Sequence, residues 1–449
     1  MKEFGSKYYK NTAYFNFDHD ENLKSLFVNA KDPKRIIEQL IFINGDVIKP
    51  EDTLIIFDEI QECPDALNSL KYFNEDANEY HIIAAGSLLG IRLSKTSFPV
   101  GKVQFLNMYP MTFNEFLIAD GLQNLVDYKN SINNIEQIPD IFFNRLTEKL
   151  KQYLYIGGMP EVVDSYINEK NIKKVREIQN NILIAYEQDF SKHVSNIEAN
   201  KISLIWNSLP SQLARENKKF LYQVVKDGAR AREYEDAINW LNDSNEILKV
   251  YNVRKNAIPL KSYDDLSSFK LYFSDVGLLS AISNLDSSIV INGNKLFTEF
   301  KGALTENFVA EELTYILNYV PNYYTFDRSE IDFIIQYNNE IIPIEVKSGE
   351  NFSNSSLSKY NEKNNNGISV RFSLNNLKQD GKILNIPLFM IEEFEKIIRK
   401  INIWFIFIVQ CENLCVMKII IIDVRYKFNY WTITNTMKFR KNFKMLYKI

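Results

Sequence analysis

Residues Thr53–Gln61 read TLIIFDEIQ, a run of strand-forming side chains that stops at two acids. A continuous apolar run without polar alternation is what a parallel strand covered on both faces requires. Open α/β sheets bind ligands at the C-terminal edges of such strands, which is where Asp58 and Glu59 fall. An acid pair in that position is the Walker B arrangement: Asp58 binds the Mg2+ of a nucleotide, and Glu59 polarises the attacking water. Apolar strands followed by two acids also occur without any nucleotide, so the flanking sequence has to decide.

Working outward, Ala13–Phe17 (AYFNF) reads as a short strand. From Asp32, DPKRIIEQLIFI has helical spacing behind an Asp-Pro start. Asp65 to Phe73 reads as a helix, and His81–Ala85 (HIIAA) as another buried strand. That strand ends in Ala85-Gly86-Ser87, where Ser87 is placed to sense a γ-phosphate. Strand and helix alternating in this rhythm predict a parallel α/β sheet. From Leu117 to Ile205 the pattern is helical, broken at Gly157-Gly158-Met159-Pro160, a turn joining helices. Ser208 to Val253 gives helix, short strand, helix (LPSQLARE, FLYQVV, AREYEDAINWLNDSNEI), the order of a winged helix.

From Lys301 the sequence predicts a helix, GALTENFVAEELTYIL, then strands IDFIIQ and IIPIEVK around YNNE, a hairpin. Asp332 opens the first strand, and Glu345-Val346-Lys347 ends the second. Residues two apart in a strand share a face, so Glu345 and Lys347 point the same way. Asp332 and Glu345 on paired strands suit one Mg2+ with Lys347 beside the nucleophile, and Glu306 on the preceding helix adds an acid. The plain alternative is a turn-edge acid and a surface Glu–Lys pair.

The run FDEIQ, AAGS, FPVGKV and YPMTFNEFL is continued by YIGGMPEVV, GARAREYEDAINWL, KLYFSDVGLLSAI and DFIIQYNNEIIPIEVKSG. It resembles a bacterial and archaeal family of AAA-type ATPases, ATP-binding proteins with a C-terminal domain of unknown function that is restriction-endonuclease-like. The resemblance covers roughly residues 1–392. It implies ATP and Mg2+ as cofactors, ATP-dependent action on nucleic acid, and a PD-(D/E)XK nuclease-like fold around Asp332, Glu345 and Lys347. It gives no chemistry to Gly157–Pro160 or to Phe273–Gly277.

One departure bears on mechanism. The sequence contains no G-x-x-x-x-G-K-[ST], the loop whose backbone N–H groups cradle phosphates while its Lys neutralises them. Met1 falls inside what resembles the helix after that loop. The expectation is an N-terminally truncated member with ATP hydrolysis lost. A metal-dependent nuclease, or a non-catalytic DNA- or protein-binding module on an ATPase scaffold, is the rival.

Composition narrows the rest. Three cysteines, Cys63, Cys411 and Cys415, exclude a disulfide framework, and three scattered histidines argue against a zinc site. The polar start MKEFGSKYYKN is not a signal peptide, and INIWFIFIV at 401–409 is too short to span a bilayer. A cytoplasmic protein without a membrane partner is expected. The net charge of −4 argues against a chain-wide nucleic-acid coat. Lys218, Lys219, Lys226, Arg230, Arg232, Lys249, Arg254 and Lys255 cluster in the winged-helix-like stretch, as a phosphate-binding surface or as the solvated face of a protein-docking domain. DNA, a protein partner or a second copy are the partners this allows.

The expected organisation is a truncated P-loop AAA-type domain over 1–120 and a helical lid or linker over 121–205. A winged-helix-like domain over 206–290 and a nuclease-like α/β domain over 291–400 follow. Residues 401–449, with eight basic residues against two acidic and neither Pro nor Gly, read as an appended or a genuine basic tail.

Overall fold

The apolar run folds as the sequence requires. In a computed structural model describing residues 1–28, 32–86, 101–191, 194–292, 298–349, 356–364 and 367–399, Thr53–Asp58 is the middle strand of three. Strands β1 (Asn11–Asn16), β2 (Thr53–Asp58) and β3 (His81–Ala84) pair parallel in that order. Five residues of β2 are fully buried, whereas all four of β3 are half-buried. Ser87, His193 and the 401–449 tail lie outside the described residues.

Helices α1 (Lys2–Tyr8), α2 (Glu21–Ser25), α3 (Pro33–Asn44) and α4 (Pro64–Asp76) complete this unit, residues 1–107. The Asp32 carboxylate accepts the Lys34 N–H, Pro33 occupies the first turn, and Gly45 at φ 76° ends α3, so each boundary has its chemical cause. The core centres on Phe57, whose ring lies 5.6 Å from both Phe17 and Phe27. Burying each such ring contributes about 1.5–3 kcal/mol.

The second unit begins at Met108. Its sheet contains β4 (Ile247–Val253), β5 (Asp264–Phe273), β6 (Asn322–Phe326), β7 (Ser329–Tyr337), β8 (Glu340–Lys347), β9 (Ser369–Ser373), β10 (Lys378–Asp380) and β11 (Ile383–Pro387). Their order is β10-β11-β9-β8-β7-β6-β4-β5. The expected hairpin is β7–β8, antiparallel with Phe333 opposite Ile344. The β4–β5 hairpin joins this sheet through one parallel pair, Asn252 with Tyr323. Side-chain amides reinforce that joint: Asn252 Oδ1 accepts the Thr325 N–H at 3.1 Å, and Asn322 donates to Tyr251 O at 3.2 Å.

The stretch FLYQVV is corrected. Tyr222–Val225 is one helical turn, and only Phe220 behaves like strand, its N–H donating to Phe269 O at 2.8 Å. The chain here needs one ladder-like bond to rest on β5, not a strand. Helix Asn196–Leu213 runs through the expected boundary at 205/206.

The helix Thr298–Leu317 packs against β5 and β8 and is buried on all sides from Ala303 to Thr314. It carries Thr305, Glu306, Asn307, Glu311, Glu312 and Thr314 into that interior, so these polar groups need protein partners. Asn307 takes the Phe273 N–H at 2.8 Å and donates to Phe273 O at 3.1 Å, while Glu312 accepts the Phe113 N–H at 2.8 Å.

Two stretches without an assigned role in the sequence, Gly157–Pro160 and Phe273–Gly277, meet at Asp275. Asp275 accepts the N–H groups of Gly158 (2.6 Å) and Leu278 (2.8 Å); Met111 N–H donates to Gly158 O at 2.7 Å; Tyr153 OH donates to Met111 O at 2.6 Å. A Cβ on Gly158 would run into the Met111 carbonyl, which is why glycine stands there. Among the described residues no helix is long and apolar enough to cross a membrane.

Candidate functional site

At the end of β2 the chain leaves the sheet sharply. Glu59 has φ 52°, in the left-handed region, and the Ile60 N–H donates to Ala85 O at 3.0 Å. Asp58 is thereby presented at the sheet edge beside β1. Tyr14 OH donates to Asp58 Oδ2 at 2.5 Å, the Glu59 N–H donates to Oδ1 at 3.2 Å, and Gln61 Nε2 donates to Glu59 Oε2 at 2.5 Å. The bond to Asp58 is the first cause holding the Tyr14 phenol above its ordinary pKa. Lys2 Nζ sits 3.5 Å over the Tyr14 ring. Both acids are therefore oriented by neutral donors.

The second candidate face lies on β7 and β8. The β7–β8 ladder ends at Phe333–Ile344; its register, continued, sets Asp332 across from Glu345 and Glu330 across from Lys347 on one face. The helix Thr298–Leu317 brings Glu306 to the same neighbourhood: its charge is the second cause, after burial, pushing the Asp332 pKa up to about 7. The Val346 N–H donates to Asp332 Oδ2 at 2.7 Å.

Every carboxylate of this face has a protein partner. Lys218 Nζ donates to Glu306 Oε1 at 2.5 Å and Tyr272 OH to Glu306 Oε2 at 3.0 Å. Lys270 Nζ lies 2.6 Å from Glu330 Oε1 and 3.9 Å from Glu306 Oε2. Glu345, 1 % exposed, has Lys347 Nζ 3.2 Å from Oε1 and Arg371 Nε 3.1 Å from Oε2. Burial opposes ionisation of Glu306, yet Lys218 and Lys270 together hold its pKa below the ordinary value. Among the described residues no group of three or more His, Cys, Asp or Glu is set to hold a metal ion.

Sequence reading located Asp332, Glu345, Lys347 and Glu306 but missed Glu330, Lys270, Lys218 as a partner, Tyr272 and Arg371. Glu330 was findable, two residues before Asp332 and so on its face. Lys270, alone in the apolar strand FKLYF with Tyr272 on its face, was a lesser signal. The eight bases of the winged-helix-like stretch do not form one free surface. Lys218 is bound to Glu306, Lys249 is buried over Tyr251 and Phe269, and Arg254 pairs with Asp265 at 3.0 Å. The helix Ala231–Asp243 exposes Arg232 beside Glu233, Glu235 and Asp236, a face of mixed charge.

Comparison with known proteins matches residues 1–117 to the AAA domain family. Residues 147–289 match a domain of unknown function (DUF8612), and residues 301–389 another (DUF4143). Among solved structures, the Walker-type ATPase PABY2304 of Pyrococcus abyssi is similar at 12 % identity, over 63 % of this chain and 93 % of that one, with a TM-score of 0.35. No curated protein matches the chain. The sequence thus carries an N-terminal AAA-type domain, residues 1–117, followed by two domains whose function is not known.

Proposed function

We propose that this is an AAA-type nucleotide protein acting on nucleic acid, in which the 449-residue chain by itself neither holds ATP tightly nor turns it over. The observation that carries the reading is the Asp58–Glu59 pair at the end of a buried parallel strand, in a sequence without G-x-x-x-x-G-K-[ST]. Asp58 is the residue that would hold Mg2+, and Glu59 the one that would orient a water. A bound metal would spread the charge of the β- and γ-phosphates. Tyr14 fixes the Asp58 carboxylate and Gln61 fixes Glu59, so the acids are aligned before any ligand arrives. The sequence has no G-x-x-x-x-G-K-[ST] whose backbone N–H groups and lysine would offset the phosphate charge, so affinity is weak. Titration of the chain with a fluorescent ATP analogue and Mg2+ tests this. Binding weaker than about 1 mM is expected, and saturable low-micromolar binding would overturn the reading.

A second reading, a metal-dependent nuclease, is favoured by the facing of Asp332 and Glu345 with Lys347 two residues on. As arranged, these residues do not fit a divalent ion, because Lys218, Lys270, Lys347 and Arg371 already engage Glu306, Glu330 and Glu345, and Asp332 accepts the Val346 N–H. The C-terminal half is therefore read as a platform for binding DNA or protein, through exposed bases such as Lys226, Arg230 and Lys255. Nicking of supercoiled plasmid that requires Mg2+ and disappears in Glu345→Gln would restore the nuclease. Salt-sensitive DNA retention in a mobility-shift titration supports the platform.

A further inference from the structure

We infer that Lys270 is a resident cation, holding on the acidic face of the second unit the place that a divalent metal would otherwise take. The inference rests on the reading of this half as a binding platform. Glu306, Glu330, Asp332 and Glu345 bring four carboxyl groups to one region, partly or wholly out of water, and burial with the Glu306 charge pushes the Asp332 pKa up to about 7. Leaving such groups ionised and unpaired is costly, and a metal is one way of offsetting them. This chain uses another.

The Lys270 ammonium is 1 % exposed and comes from β5, outside the matched 301–389 segment. It lies within reach of Glu330 and Glu306 and over the Tyr323 ring at 4.9 Å. Burial alone would discharge this amine; Glu330, Glu306 and Asp332 together outweigh burial and hold it protonated. Lys218 takes the other oxygen of Glu306, while Lys347 and Arg371 take Glu345. Four cations thus engage three of the four carboxyl groups, and the fourth, Asp332, accepts the Val346 N–H. A divalent ion held by Glu306 and Glu330 would have to displace the Lys270 ammonium from them. Lys270 also does what a metal could not: as part of β5 it binds the β4–β5 hairpin to the sheet beyond the single Asn252–Tyr323 pair.

The test is calorimetric titration of the full chain with Mn2+ and Mg2+, as wild type, Lys270→Met and Lys270→Met/Glu306→Gln. Removing the ammonium is expected to create one divalent site, at least about tenfold tighter than any in the wild type, and the double variant is expected to lose it. Mn2+ is further expected to raise the melting temperature of Lys270→Met and not that of the wild type. A wild-type Mn2+ site that Asp332→Asn removes and Asp58→Ala leaves would overturn the inference, as would a folded Lys270→Met chain that binds no metal. The wild-type titration decides alone if Lys270→Met does not fold. DNA retention by the wild type is measured separately, so its loss would strike the platform reading without touching the metal result.

Discussion

The two units each set acids on a sheet, and they fasten them in opposite ways. At the end of β2, Asp58 and Glu59 are held by a phenol and an amide, Tyr14 and Gln61. On β7 and β8, and on the helix packed against β8, Glu306, Glu330 and Glu345 are held by Lys218, Lys270, Lys347 and Arg371. A neutral donor orients a carboxylate and leaves its charge free to attract a cation; an ammonium or guanidinium orients it and cancels the charge. The same residue type at a strand end is therefore oriented by neutral donors in one unit and tied into ion pairs in the other. Acids read from spacing alone do not distinguish these outcomes, because the deciding partner is elsewhere in the sequence.

The comparison breaks most readily at Lys270. Replacing it by Met leaves half-buried Glu330 and one oxygen of buried Glu306 without their counter-charge, and a loss of about 3–5 kcal/mol in urea denaturation is expected without added metal. A loss below 1 kcal/mol, on the scale of an exposed ion pair, would show that the ammonium is not the tie described.

The next effect is one of pH. Burial, followed by the charge of Asp189, pushes Glu246 up to about 8, and burial pushes Asp275 up to about 6. Both are carboxyls whose folded pKa exceeds the unfolded value, so the folded chain holds their protons more firmly. Stability then declines as pH rises from the ordinary carboxylate range through the folded values and levels off above them. Unfolding free energies measured between pH 5 and pH 8 should fall steadily; a rise over that window would contradict the burial of these groups.

In the first unit, Tyr14→Phe removes one hydrogen bond to a half-buried acid, and about 0.5–1.5 kcal/mol is expected. The same change frees an oxygen of Asp58, so divalent-ion affinity at that end should rise, if it moves. Salt gives the smallest effect. Raising NaCl to about 1 M screens exposed pairs such as Lys10–Asp52 but reaches Lys270 poorly, so the Lys270→Met deficit should be nearly unchanged between low and high salt.

Much of the first unit was legible because its signals are local. An apolar run without alternation, an Asp-Pro start and a glycine stop need no knowledge of the rest of the chain. The β7–β8 hairpin was legible for the same reason, and strand alternation correctly put Glu345 and Lys347 on one side. FLYQVV was misread because β-branched and aromatic residues favour strand, while the tertiary setting asked only for the Phe220 N–H. The pairings of Lys270 with Glu330 and of Lys218 with Glu306 span 60 and 88 residues and leave no periodic trace. Gly157–Pro160 and Phe273–Gly277 were recognisable as stretches, yet their shared role needed the Asp275 carboxylate to be seen under the Gly158 amide.

The lone Asn252–Tyr323 pair has a consequence for how the eight-stranded sheet opens. A ladder spreads cooperativity from strand to strand, and one rung spreads little, so the sheet behaves as two foldons that share an edge. Amides of β4 and β5 should exchange with solvent hydrogen as one group, and those of β7, β8 and β9 as another with its own opening free energy. Lys270 reaches Glu330 across that edge, so with the Asn252 and Asn322 amides it lets a disturbance of one foldon register in the other through side chains and not through the ladder.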